Sequence, residues 1–145
     1  MREAIGGTWL FTIVIVFIVL FSSYLAISVN YSKAFKVKDS IISIIEHNEG
    51  LNSDAQAEIS SYLSGIGYFV YGSCNSSEKG YERSNTGSRY KYCVSKKQSG
   101  ESASLKKTYY KVRVFFRLDL PILGSIFTFP VAGETKAIYY AEDNI

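Results

Sequence analysis

The sequence predicts an α+β protein: a long N-terminal helix that is transmembrane first and amphipathic after, a short second helix, and a small antiparallel sheet of four or five strands. Three observations predict it. No charged residue occurs from Ala4 to Ser32. The stretch that follows, to Glu49, has apolar residues at helical spacing and neither proline nor glycine. From about Tyr68 the periodicity changes to alternation, dense in Tyr, Phe and Val.

The first element is the anchor, residues 1–30. Trp9 to Val29 is dominated by Ile, Val, Leu and Phe. A helix rises ~1.5 Å per residue and the hydrocarbon core is ~30 Å thick, so about 20 apolar residues cross it. The run Ile13-Val14-Ile15-Val16 would weaken a helix in water. In lipid the backbone must satisfy its own hydrogen bonds, so helix is expected there. Trp9 and Tyr24 or Tyr31 are placed as interfacial anchors. The run is too long for a cleaved secretory signal, and Asn30-Tyr31-Ser32-Lys33 has no small-residue cleavage pattern.

The rest, 31–145, reads as one α+β domain. Its helix continues to about Glu49, with Phe35, Ile41, Ile42 and Ile45 as a packing stripe and Gly50 as a left-handed cap. Ser53-Asp54-Ala55-Gln56 reads as a capping box, opening a short helix with Ala55, Ile59, Tyr62 and Leu63 on its apolar side. Strands are expected at Tyr68–Cys74, Arg89–Lys96 and Leu105–Leu118. In the third, Tyr110, Val112, Val114 and Phe116 alternate with Lys111, Arg113, Phe115 and Arg117. Pro121 and Gly124 break it. Ile126–Val131 and Thr135–Tyr140 are expected to form a hairpin around Ala132-Gly133-Glu134, with Pro130 marking an edge strand.

Sidedness rests on two opposed signals. Lys33, Lys36 and Lys38 follow the apolar run and only Arg2 precedes it, which by the positive-inside rule would hold the domain in the cytoplasm. Cys74 and Cys93, the two cysteines, flank a polar loop rich in Gly, Ser and Asn. A disulfide there would stabilise the fold by about 3 kcal/mol and needs an oxidising compartment. The cysteines carry more weight, and an extracytoplasmic domain on a single-pass membrane anchor is expected.

The residue types that carry chemistry are sparse. The single histidine, His47, lies at the polar end of a helix. Two cysteines without a His or Cys partner set do not make a metal site. No phosphate-binding loop, dinucleotide motif or nucleophile elbow occurs. The net charge of +3, with Lys96-Lys97 and Lys106-Lys107 as short basic pairs, does not make a nucleic-acid patch. The expectation is a protein that is not an enzyme, with no cofactor, no metal and no small-molecule substrate.

Glu3-Ala4 at the mouth of the apolar helix, the uninterrupted passage into Tyr31-Ser32-Lys33-Ala34-Phe35-Lys36-Val37, and Tyr110-Lys111-Val112-Arg113-Val114 followed by Pro121-Ile122-Leu123-Gly124 and a final strand pair form one pattern. It resembles type IV pilin-like subunits, in particular the TadE-like minor pilins of tight-adherence pilus systems. The resemblance implies a structural subunit or accessory component of a pilus or secretion assembly. Its partners would be membrane lipid and other pilin-like subunits or assembly-platform proteins. It also makes Gly6-Gly7 a candidate processing site, the other reading being flexibility at the helix start. The chain departs from the family on either alignment: a cut after Gly7 leaves Thr12 where pilins have glutamate, and Glu3 taken as that glutamate has only Met1 and Arg2 before it in place of a leader. The rival expectation is a membrane-anchored binding module that works alone.

Overall fold

The computed structural model describes residues 2–99, 105–120 and 124–141. The element order is α1 (Arg2–His47), α2 (Ser53–Gly65), β1 (Lys79–Arg83), β2 (Tyr90–Ser99), β3 (Leu105–Leu120), β4 (Gly124–Glu134) and β5 (Ile138–Ala141). The expected α+β architecture is present. All strand pairings are antiparallel, in the order β1-β2-β3-β4, with β5 also on β3. Pro121, read as a strand breaker, lies outside the described residues, as does the side chain of Glu3.

α1 is one unbroken helix of 46 residues. Its C-terminal part lies on the sheet through Ala34, Val37, Ile41 and Ile45, all buried, with Ile42 and Ile44 packed at the margin. The sheet side of this core is Tyr92, Val94, Tyr110, Val112, Val114 and Val131, and α2 adds Ile59 and Leu63. The stripe on α1 therefore has its cover inside the same chain. Phe35 is the exception to the expected set: it is 43 % exposed. At 100° per residue it sits about 120° around the helix from Ile41, whereas Ala34, Val37 and Ile45 lie within about 40°.

Both helix ends differ in detail from expectation. α1 closes with Glu49 N–H on the Glu46 carbonyl (3.2 Å) and Gly50 N–H on the Ile45 carbonyl (2.9 Å). This is a Schellman end, and the left-handed residue in it is Glu49, at φ 53°, not Gly50. α2 ends the same way, Gly67 N–H on Ser64 and Tyr68 N–H on Leu63, with Gly67 at φ 63°. A side chain in that conformation costs free energy that glycine avoids. Glu49→Gly is expected to raise domain stability by about 0.5–1 kcal/mol; a thermal melt that falls instead would show that the Glu49 side chain contributes more than its backbone strain. At the start of α2 the cap is Asn52 rather than Ser53: Asn52 Oδ1 accepts from Ala55 N–H at 2.8 Å.

Three strand expectations need correction. Tyr68–Cys74 is not a strand; its one ladder contact is the Gly72–Tyr90 bridge. The first strand is instead β1, inside the loop between the cysteines. Lys-Gly-Tyr-Glu-Arg has too little apolar alternation to read as a strand, and its Gly80 is required by packing: a Cβ there would lie 2.3 Å from the Tyr90 ring. The final hairpin is also absent. β4 and β5 lie end to end along one edge of the 16-residue β3. Thr135 bridges the gap: its N–H donates to the Tyr110 carbonyl and its hydroxyl accepts from Tyr110 N–H, both at 2.9 Å. Gly133 is not a turn but a paired strand residue opposite Val112. α1 crosses over it so closely that a Cβ would come 2.8 Å from Ile42 Cδ1 and Lys38 Cδ. Pro130 does lie on an edge strand, β4, as expected.

Candidate functional site

Four features stand out above the fold itself: the disulfide, a tyrosine that closes the central ladder, two clefts, and the bare half of α1.

Cys74 and Cys93 are joined, with Cα atoms 5.6 Å apart. Cys93 is fully buried in β2, between Gly80 of β1 and Arg113 of β3. Cys74 leads from the Gly72–Tyr90 bridge into β1, so the bond holds an edge strand and its approach onto the sheet. Beside it Arg113 Nη2 meets Glu78 Oε1 at 2.9 Å, with the Glu78 side chain only 4 % exposed.

The Tyr68 hydroxyl sits where the β2–β3 ladder runs out. It donates to the Phe115 carbonyl and accepts from Phe115 N–H (3.0 Å). One phenol thus satisfies both backbone groups of a buried strand residue. The adjacent Gly72 has no room for a Cβ, which would meet the Phe115 ring at 2.1 Å. Burial pushes the Tyr68 pKa up to about 12, with the Phe115 hydrogen bond opposing. Tyr92 is also raised, by burial first and then by Glu82 and Tyr81. A raised tyrosine pKa means the folded state holds its proton longer than the unfolded chain. The stability this gives is full below pH 10 and is lost as pH rises from about 10 towards 12. Tyr68→Phe leaves a buried N–H and C=O without a partner and is expected to cost about 2 kcal/mol. An alkaline melt checks both points: the variant should start less stable and lose less between pH 10 and 12.

A cleft of about 390 Å³ opens between α1, α2 and β3, lined by Lys33, Val37, Tyr62, Phe69 and Phe116 among others. A second, more polar one of about 650 Å³ lies on the opposite face of the sheet, where Arg89, Arg113 and Arg117 line it with Ser84, Thr86 and Thr128. Neither cleft is lined, among the described residues, by a His, Cys, Asp or Glu. Among the described residues no group of three or more His, Cys, Asp or Glu is placed to hold a metal ion. His47 is exposed.

α1 is long and apolar enough to cross a membrane, and the most apolar part of it is not buried against the rest of the chain at all. Trp9, Leu10, Phe11, Phe17, Leu20 and Phe21 are each more than half exposed. Ser22 and Ser23 donate to the carbonyls of Ile18 and Val19, both at 2.8 Å, so these two hydroxyls are satisfied within the helix. Gly6 and Gly7 are in the helix with open space around them.

The structure brings Ile41, Ile42 and Ile45 together on the sheet and joins the cysteines. It sets Phe35, Gly6 and Gly7 apart from that core. Three important residues escaped sequence reasoning. Lys38 is 7 % exposed, its stem over Gly133 and its ammonium on Asp39 (3.0 Å) and the Phe35 ring (3.7 Å). Gly133 passes for a turn because proximity to a helix leaves no local signal. Tyr68 passes for a strand residue because its partner, Phe115, is 47 positions away. No protein-family model, no characterised protein and no solved structure matches this chain.

Proposed function

We propose that the protein is a non-enzymatic, membrane-anchored subunit of a pilin-like assembly, with α1 spanning the membrane and the sheet domain outside the cytoplasm. One observation carries the reading: a single helix is bare and apolar in its first half and the core support of its own domain in its second. A bare apolar surface of that size needs cover. Lipid supplies it for a resting subunit, and the helices of neighbouring subunits supply it in an assembly. Ser22, Ser23, Ala26 and Ser28 are the small residues through which such helices approach closely. The disulfide supports the outward side, because thiols are kept reduced in the cytoplasm.

A photo-reactive residue placed at Leu20 in the native cell tests it. Adducts with other pilin-like subunits, or ladders of the protein itself, are expected. A cross-linked species containing only lipid and monomer would sink the assembly reading. It would favour the second one, a binding module acting alone, for which the arginine-lined cleft is the observation in hand. Sidedness is read separately: protease added outside wall-stripped cells should digest the domain, and full protection would place it in the cytoplasm.

A further inference from the structure

One end of the sheet carries an aromatic row that leads outward from the core through Phe116. Tyr31 of α1 meets Phe116 of β3 edge-on, ring centroids 5.7 Å apart. Phe116 stacks on Phe129 of β4 at 5.4 Å, and Phe129 meets Phe127 at 6.0 Å. Phe116 is half-buried, whereas Tyr31, Phe129 and Phe127 are 49 %, 42 % and 58 % exposed.

Strand direction gives its height. Gly133, paired with Val112, lies under Lys38 and Ile42, while Phe116 lies against Tyr31. β3 therefore runs antiparallel to α1, descending from residue 112 to 116 as the helix runs back from about 40 to 31. A strand advances ~3.3 Å and a helix ~1.5 Å per residue, so four strand residues match about nine helical ones, in agreement with those contacts. β3 continues to Leu120 and β4 begins at Gly124. The same arithmetic sets Phe129, opposite Phe116, level with about Tyr31, and Phe127, opposite Leu118, level with about Ile27, at the upper end of the charge-free run of α1.

The geometry points to a second membrane contact: the β3–β4 end of the sheet lies in the interfacial layer of the bilayer, with Phe127 and Phe129 among the lipid headgroups. Aromatic rings favour that layer. Lys33 and Lys36, both exposed and just above Tyr31 on α1, stand where lipid phosphates would be. The occupant is lipid because the patch lies at the depth of the headgroups already surrounding α1. The inference rests on α1 spanning the membrane and is independent of filament assembly.

The test uses the full chain in phosphatidylcholine–phosphatidylglycerol vesicles with brominated acyl chains, which quench tryptophan on contact. Trp9 is the one native tryptophan. A Trp9→Phe, Phe127→Trp protein should show blue-shifted emission, quenched to an extent comparable with Trp9 in the unaltered chain and unchanged when lipid is raised over protein. A Trp9→Phe, Tyr139→Trp protein reports the opposite end of β3, where Tyr139 pairs with Lys107, and should stay unquenched. Quenching at Trp9 but not at position 127 overturns the contact and leaves the span intact. Quenching at neither overturns both. Quenching at position 127 that emerges only as the protein is diluted assigns the patch to a neighbouring copy and overturns the lipid contact.

Discussion

Ile45→Asp is expected to unfold the domain, while Ser43→Asp, two residues away, leaves it intact. Ile45 has no solvent exposure, and its neighbours are the helix stripe and the sheet. A carboxylate there is either charged without a partner or held neutral against its ordinary pKa. Either way the loss exceeds about 4 kcal/mol, a large share of a small domain's stability. Ser43 is exposed, and a surface change of that kind stays within about 0.5 kcal/mol. Thermal unfolding of the full chain in micelles, followed by near-ultraviolet circular dichroism, separates the two variants. A melt of Ile45→Asp matching the unaltered chain would show that the stripe is not core.

Joint replacement of Cys74 and Cys93 by alanine should cost about 3 kcal/mol, because the bond closes a loop whose ends are 19 positions apart. The loss is expected to be uneven. β1 pairs with β2 alone, through its ladder, the Tyr81–Tyr92 stack and the Lys91–Glu82 ion pair, and its approach is tied to the sheet by the bond and by the Glu78–Arg113 ion pair. Amide exchange should therefore quicken first in β1 and in the approach through Gly72, with the β3–β4 ladder protected longest. Uniform quickening across the sheet would mean that the bond supports the whole fold and not its edge.

Patterns within one element were legible in the sequence. The long helix, the burial of Ala55, Ile59 and Leu63 on α2, and the alternation of Tyr110, Val112 and Val114 follow from periods of 3.6 and 2, which a single chain displays openly. The cysteine pair was legible because two thiols admit one intramolecular pairing. What failed depended on distant partners. Phe35 is apolar at nearly the right spacing, yet the sheet lies on another side of the helix. Lys-Gly-Tyr-Glu-Arg becomes a strand because β2 offers an edge beside the disulfide. Ala132-Gly133-Glu134 looks like a turn, and stays straight because β3 is long enough to carry β4 and β5 in succession.

The continuity of α1 also sets how the molecule bears load. No proline or glycine interrupts it between Thr8 and Glu49, so the bare half of α1 and the domain share one stiff shaft with no hinge between them. Tension along the shaft reaches the sheet as sliding between Ala34–Ile45 and the strands beneath, and every contact of the stripe resists together. Tension across it, by contrast, would peel the sheet away one residue at a time. The packing thus resists a lengthwise pull better than a transverse one, and a twist applied to the bare half of α1 turns the domain through the same angle.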